Sequence, residues 1–272
     1  MYDLVSTLIK ALEEKETVAL ATITGPSDLP SHLLARKLLV RPEGPVEGGL
    51  GVPSLDERIA ADCRQAMASP PPTRLVSYVL TPDEGQALGL EAGEIEVFIE
   101  AIQPPPTLLI VGAGHIAQPL SRIGKMLGFE VAVIDDRPSL VSKARFPEAD
   151  RLIAGYYGEE LARFPITSST YIVLVTRGHR HDEESLRQVI HSPAAYIGMI
   201  GSRRRVGAVF QHLAEEGIPH ELIDRVCSPI GLDIGAETPE EIAVSILAEV
   251  INVRRRGTRH PYSLSSKERA RV

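Results

Sequence analysis

The most constraining feature of the sequence is the glycine-rich stretch VGAGHIAQPL at residues 111–120. It follows a short apolar run and opens a segment with helical periodicity, so it joins a buried strand to a helix. In such a turn Gly112 allows the tight bend, Gly114 lets a diphosphate approach the backbone, and Ala117 lets the helix pack close to the strand. The helix N-terminus would then face the phosphates. This turn predicts a doubly wound α/β domain that binds a phosphorylated ligand.

Asp135 stands where a turn of this kind is followed by an acid. It ends the next apolar strand, 23 positions after Gly112, and dinucleotide-binding folds place a ribose-binding acid about 20 residues beyond the turn. Asp136 and Arg137 follow directly. We predict that these residues bind a nucleotide, and the alternative for the stretch IDDRP is a solvated turn.

A second glycine turn, GMIGSRRR at residues 198–205, is predicted to end another parallel strand. Ser202 can cap the following helix, and three arginines beginning with Arg203 fall in its first turn. Cations there oppose the helix dipole, and a bound anion would offset that effect. A solvated helix face is the alternative. Because strand carboxyl ends meet at one edge of such a sheet, the turns at Gly112 and Gly201 are predicted to line one cleft.

The stretch TRGHRHD at residues 176–182 follows a third apolar strand. We predict that Thr176, Arg177 and His179 line the same cleft, with a plain loop as the alternative. A metal site is not expected, because the two histidines alternate along the chain and no third ligand stands at a fixed spacing. Asp182 is predicted to cap a helix that begins at about that residue.

A run of prolines predicts two domains. Gln-Pro-Pro-Pro at residues 103–106 removes backbone donors and stiffens the chain, as a linker does. Residues 1–102 are predicted to form a small α+β domain. Residues 107–256 alternate apolar strands with helices, which is typical of a Rossmann-like parallel sheet covered on both faces. Residues 257–272 form a polar tail that is predicted to be frayed.

Local signals predict several elements of these domains. A first helix is predicted with Asp3 as its N-cap, and the S-x-x-E capping box of Ser54 predicts another that runs to about residue 68. The last helix is predicted from the box at Thr238 to about Arg255. Strands of the first domain are predicted at residues 17–24, 36–41, 74–80 and 95–101.

Composition excludes several classes of protein. The chain has 43% apolar and 24% charged residues and a net charge of −7, which argues against a nucleic-acid or membrane-surface binder. No apolar run reaches the roughly 18 residues that span a bilayer, and the N-terminal stretch lacks the features of a signal peptide. We therefore expect a cytoplasmic protein. Cys63 and Cys227 form no close pair, so they are expected to be two buried thiols rather than part of a zinc site.

The motifs, in this order, resemble the XdhC/CoxI family of maturation factors for molybdenum hydroxylases such as xanthine dehydrogenase and carbon monoxide dehydrogenase. The resemblance implies a non-catalytic carrier of the molybdenum cofactor, a pyranopterin with a phosphate or dinucleotide tail. The carrier supports sulfuration of the cofactor, with a cysteine desulfurase as an implied partner, and delivers it to an apo-hydroxylase. Family members are often homodimers. The resemblance rests on LIVGAGHIAQPL, VIDDRP, RFPEAD, VTRGHRHD, YIGMIGSRRR and SPIGLDIGAETPEEIAVSILAEV.

The first domain departs from the family pattern. Family members carry there a G-G-G-C-L-E stretch whose cysteine is implicated in holding the cofactor, and Ser54 stands at that position. A second family cysteine is replaced near Glu91. Serine is a much poorer metal ligand than thiolate at neutral pH, so direct ligation of molybdenum by this chain is in doubt.

Three hypotheses follow. In the first, the turn at Gly112 and Asp135 hold the phosphate or nucleotide part of the molybdenum cofactor. The arginines after Gly201 neutralise its charge, and a cleft facing the first domain shelters the pterin. The second is an NAD(P)-dependent oxidoreductase, in which His115 or His179 acts as a general acid. The third is a regulatory interaction module that binds no ligand.

Overall fold

The structure is a computed structural model that describes residues 2–14, 16–68, 73–90, 93–258 and 262–265. The chain divides into two compact units, Met1–Pro104 and Pro105–Val272. Among the residues described, no helix combines the length and the apolar character that crossing a bilayer requires.

The first unit contains a five-stranded antiparallel sheet with the order β3-β2-β1-β5-β4. All four strands predicted for this unit are present. The first helix begins at Tyr2, so Asp3 lies within the helix and the prediction of Asp3 as its N-cap is wrong. The elements are α1 (Tyr2–Glu13), β1 (Val18–Gly25), β2 (Lys37–Val40), β3 (Glu47–Gly48), α2 (Pro53–Ala68), β4 (Thr73–Val79), α3 (Pro82–Leu88) and β5 (Glu94–Ile102).

The start of α2 differs from the prediction. The helix begins at Pro53, because proline suits the first helical position, and the capping box predicted from Ser54 is therefore wrong. The Ser54 hydroxyl instead donates to the carboxylate of Glu84 at 2.9 Å. Glu84 is buried and closes the capping box of Thr81 at the start of α3. The hydroxyl at the position of the family cysteine thus has a protein partner.

Both cysteines are buried in apolar cores. Cys63 packs in the core of the first unit, where burial and the neighbouring Asp62 raise the pKa of its thiol to about 12. Cys227 packs in a core of the second unit. Neither thiol is exposed for ligation, and the position near Glu91, where the second family cysteine is replaced, lies outside the described residues.

The second unit confirms the α/β prediction. Its six strands form a parallel sheet with the order β11-β10-β9-β6-β7-β8, and helices accompany the strands as in a Rossmann fold. The elements are β6 (Thr107–Val111), α4 (Ala117–Met126), β7 (Glu130–Asp135), β8 (Arg151–Ala154), α5 (Tyr157–Arg163), β9 (Thr170–Leu174), α6 (His179–Val189), β10 (Tyr196–Met199), α7 (Arg203–Glu215), α8 (His220–Asp224), β11 (Val226–Cys227) and α9 (Pro239–Arg256).

The order of these strands defines where a ligand can bind. From β6 the chain adds β7 and β8 on one side, and then returns to place β9 on the other side of β6. The direction of strand addition therefore reverses between β6 and β9. Open α/β sheets bind ligands at this switch point, outside the carboxyl ends of the strands.

The end of the chain is partly ordered. The capping box at Thr238 is confirmed, and α9 ends at Arg256. Ser263 is fully buried and its hydroxyl donates to the buried carboxylate of Glu249. The Leu264 amide also donates to the Gly231 carbonyl at 2.9 Å. The prediction of a frayed tail is wrong for residues 262–265, because these contacts join segments distant in sequence; residues 259–261 and 266–272 lie outside the described part.

Candidate functional site

A cavity of about 470 Å³ lies at the carboxyl ends of β6 and β9, where the strand order reverses. Three loops contribute to it: the glycine turn after β6, the segment that follows β7, and the loop after β9. Five residues predicted from the sequence line this cavity, together with residues that were not predicted. The lining residues are Gly114, His115, Ile116, Arg137, Leu140, Arg145, Val175, Thr176 and Arg177.

The glycines of the turn have different functions. Gly112 has a φ of +110°, and a Cβ atom there would lie 2.5 Å from the carbonyl oxygen of Val175. Only glycine allows this approach of the turn to the loop after β9. A Cβ atom on Gly114 would meet nothing within 4 Å, so the space beside it is open. Ala117 is the buried first residue of α4, and no side chain caps that helix.

Asp135 is fully buried beneath the turn, and its carboxylate accepts four hydrogen bonds. The Ala113 amide donates at 2.6 Å, and Arg137 donates from its amide at 3.0 Å, from Nε at 2.7 Å and from Nη2 at 2.8 Å. Burial alone would raise the pKa of Asp135, but these hydrogen bonds outweigh burial and hold it well below its ordinary value. Four donors match the four acceptor positions of a carboxylate. Ribose binding by Asp135 stays a prediction, and a hydroxyl would have to displace one of these donors.

Three arginines from separate segments line the cavity. Asp136 pairs with Arg177 at 2.8 Å and with Arg137 at 3.7 Å. Arg145 donates from Nη2 to the Ala113 carbonyl at 3.3 Å, whereas its buried Nε has no hydrogen-bond partner among the described residues. Arg145 was not predicted as a site residue; the only signal was its position in the motif RFPEAD. The converging guanidinium groups make the cavity suitable for an anion.

The loop after β9 is fixed by a buried acid. The Thr176 hydroxyl donates to the Asp182 carboxylate, which is almost fully buried. Asp182 lies inside α6, whose N-cap is Gly178, so the prediction that Asp182 caps this helix is wrong. His179 is the first residue of α6, and its side chain lies outside the described part of the structure. The contact between Thr176 and Asp182 thus holds the backbone that carries Arg177.

The second glycine turn lines a different cavity. Ser202 is the N-cap of α7, but its hydroxyl makes no capping hydrogen bond. Gly201 and Arg203 line neither cavity. The structure therefore does not bring Gly201, Ser202 and Arg203 into the cavity at β6, because β9 and its loop lie between β10 and β6. This second cavity, of about 540 Å³, is lined by Glu183, Ser202, Arg204, Arg205, Ala208, Val209 and His212.

Curated relatives share part of this sequence. The chain is 31% identical over 227 residues to Uncharacterized protein YqeB of Escherichia coli (strain K12), which covers 83% of this chain and 41% of the relative. It is 36% identical over 160 residues to a protein of Bacillus subtilis (strain 168) that is named as a probable xanthine dehydrogenase subunit, which covers 59% of this chain and 46% of the relative. The chain therefore spans less than half the length of these curated relatives.

A solved structure and two family models match the chain more fully. A crystal structure titled a xanthine dehydrogenase, from Bacillus halodurans, aligns over 96% of this chain and 98% of its own, with 23% identity and a TM-score of 0.52, so the fold is similar. Residues 11–79 match the model of the XdhC and CoxI family. Residues 108–250, more than half of the chain, match the model described as the XdhC Rossmann domain. This match confirms the predicted resemblance: the chain belongs to the XdhC/CoxI family.

Proposed function

We propose that this protein binds the phosphorylated end of the molybdenum cofactor in the cavity at β6 and β9, and that it serves in the maturation of a xanthine dehydrogenase. The observation that carries the proposal is the convergence of Arg137, Arg145 and Arg177 on the open space beside Gly114, at the switch point of a Rossmann sheet. The family, together with the relative named for xanthine dehydrogenase, supports this choice of client.

The residues present fit the phosphate of the cofactor better than its metal. The buried Nε of Arg145 has no protein partner among the described residues and can donate to a phosphate oxygen. No group of three His, Cys, Asp or Glu side chains suited to a metal occurs in the described part of the chain. Cys63 and Cys227 are buried, and the Ser54 hydroxyl already donates to Glu84. We therefore assign this chain no ligand to molybdenum, and the pterin and phosphate carry the binding.

The partners belong to the same proposal. An apo-form molybdenum hydroxylase receives the cofactor, and a cysteine desulfurase acts on it while it is bound. A homodimer is the proposed assembly. In this role the protein holds and releases its ligand without turnover.

An NAD(P)-dependent oxidoreductase is the second candidate, and one observation favours it. His115 lines the cavity beside Gly114, where it can serve as a general acid toward a bound substrate. Hydride transfer from a bound nicotinamide to a small carbonyl compound would support this candidate over the carrier.

Identification of the ligand tests the proposal directly. The protein is purified from a host that makes the molybdenum cofactor, and the bound small molecules are identified by mass spectrometry. We expect a pterin in the purified protein or after addition of purified cofactor. A protein that takes up neither pterin nor nicotinamide would contradict both candidates and favour a regulatory module that binds no ligand.

A pair of variants locates the site. Arg145→Gln should lower the affinity for the cofactor about 10- to 100-fold, as expected for loss of one charge-assisted hydrogen bond. Arg204→Gln removes a comparable charge from the second cavity and should leave the affinity unchanged. Equal losses in the two variants would show that binding depends on overall charge rather than on this cavity.

A further inference from the structure

The acid at the end of β7 is not available to a ligand. In Rossmann folds that bind NAD, an acid at this place accepts hydrogen bonds from the ribose hydroxyls. Here the Asp135 carboxylate is fully buried, already accepts four hydrogen bonds, and does not line the cavity. Among the described residues, the lining contains no other carboxylate that could accept from a diol.

Arg137 presents a donor group where a diol would need an acceptor. It lies two residues beyond Asp135, and its guanidinium is about one-third exposed in the cavity. Asp135 holds Nε and Nη2 in place and thereby fixes the plane of the group. In related folds an arginine near this position accommodates the phosphate on a ribose.

The other two arginines complete a cation-lined site. Arg177 is held by Asp136, and Arg145 has an unpartnered buried Nε. A phosphomonoester carries close to two negative charges at neutral pH and offers three acceptor oxygens. Such a group can accept hydrogen bonds from several guanidinium groups at once, whereas a diol adds donors to a lining that is already rich in donors.

We infer that this cavity selects ligands that end in a phosphomonoester over ligands that present an unphosphorylated ribose diol. The inference rests on the proposed function and narrows it, because it names the group that the cavity binds. The monoester has two sources: the tail of a pterin monophosphate, or the 2′-phosphate of an NADP-type dinucleotide. The chemistry is the same in both, and the experiment separates them.

Calorimetry with two matched pairs of ligands tests the inference on the full chain. NADP is compared with NAD, from which it differs only by the monoester, and molybdopterin monophosphate is compared with its dinucleotide form. In at least one pair the monoester should bind about tenfold tighter or more. Discrimination in the pterin pair alone identifies the cofactor tail as the source, and discrimination in the nicotinamide pair alone supports the inference with a dinucleotide as the ligand.

The failures of the two proposals are distinguishable. If a pterin binds but neither pair discriminates, the selection of a monoester is overturned while the carrier function stands. If NADP binds tighter than NAD and no pterin binds, the carrier function is overturned while the selection stands. If none of the four ligands binds, both are overturned.

A substitution of Arg137 gives a sharper readout. Arg137→Gln removes the guanidinium and frees acceptor positions on Asp135, so the preference for NADP over NAD should fall about tenfold or more, while the affinity for NAD is kept or rises. Equal losses for NAD and NADP would contradict the inference. If this variant does not fold, Arg177→Gln provides the same comparison from the other side of the cavity, with Arg204→Gln as the control.

Discussion

The two glycine turns of the second unit look alike in the sequence, and the structure separates them. Each follows a parallel strand and leads into a helix, and each has arginines nearby. The turn at Gly112 is pressed against the Val175 carbonyl, and the amide of Ala113 is bound by buried Asp135. The turn at Gly201 has its nearest non-local contact, at 3.2 Å, with a methyl of Val206, and its N-cap Ser202 makes no capping hydrogen bond.

The source of the arginines explains the difference. In the first cavity they come from segments that follow different strands, and acids or backbone carbonyls of neighbouring segments hold them. In the second cavity Arg204 and Arg205 belong to the first turn of α7 itself. Charges that converge from several elements can surround one anion, whereas charges on one helix spread around its axis. Convergence across strands is therefore a better indicator of a binding site than a cluster in sequence.

The largest expected effect is that of a methyl group on each glycine. Gly112→Ala places Cβ against the Val175 backbone at a φ of +110°, and we expect a loss of about 4 kcal/mol in the free energy of unfolding. Gly201→Ala meets a side-chain methyl at ordinary φ and should lose about 1 kcal/mol. Urea denaturation of both variants checks this. Similar losses at the two positions would remove the structural distinction between the turns.

Removal of the buried charge comes next. Asp135→Asn leaves Arg137 without its carboxylate partner, and we expect a loss of about 3 kcal/mol in the free energy of unfolding at pH 7. Glu183→Gln, at the second cavity, removes a partially exposed partner of Arg187 and should lose about 1 kcal/mol or less. Urea denaturation of the two variants measures both losses, and equal values would contradict the greater importance of the buried pair.

The pH dependence gives an independent check on Asp135. Hydrogen bonds hold its pKa below the ordinary value in the folded state, so its contribution is present above the unfolded-state pKa of about 4 and is lost as pH falls below it. The stability difference between the wild type and Asp135→Asn should therefore shrink between about pH 4 and pH 2. A difference that is constant over this range would show that the charge of Asp135 does not carry the effect.

Features encoded within a few residues were predictable from the sequence. The apolar strands that alternate with helices predicted the parallel sheet, and the box at Thr238 predicted the start of α9, because each signal lies within one element. The sequence also placed Asp135 at the strand end. It did not show that Arg137 would occupy the carboxylate, since both the acid–arginine contact and the ribose contact are compatible with the same residues.

Features that depend on distant partners were not predictable. Arg145 reaches the carbonyl of Ala113, 32 residues away, and no local pattern indicates that contact. The hydroxyl of Ser54 bonds to Glu84, 30 residues away, rather than to its own helix. Ser263 is buried against Glu249 although its surrounding sequence is polar. In each case tertiary contacts decide the role of a side chain whose local sequence favours another.

A smaller effect is expected where the first turn meets the loop after β9. Thr176→Val removes the hydroxyl that donates to buried Asp182, and the variant should lose about 2 kcal/mol in the free energy of unfolding. Because this contact holds the backbone next to Arg177, the affinity for a phosphorylated ligand should also fall. Thr176→Ser keeps the hydroxyl and should restore the affinity. A loss of affinity in Thr176→Ser as large as in Thr176→Val would assign the effect to packing of the methyl group.

The smallest effect concerns the caps of two helices in the same unit. The Thr238 hydroxyl accepts a hydrogen bond from the Glu241 amide at 3.2 Å, so Thr238→Ala should lose about 1 kcal/mol in the free energy of unfolding. Ser202 occupies the same N-cap position on α7 without such a bond, so Ser202→Ala should lose less than about 0.5 kcal/mol. If thermal denaturation gave equal losses, the turn at Gly201 would have the hydrogen bonding of a fixed site. A phosphorylated ligand would then have two structured turns available, and convergence of arginines alone would distinguish them.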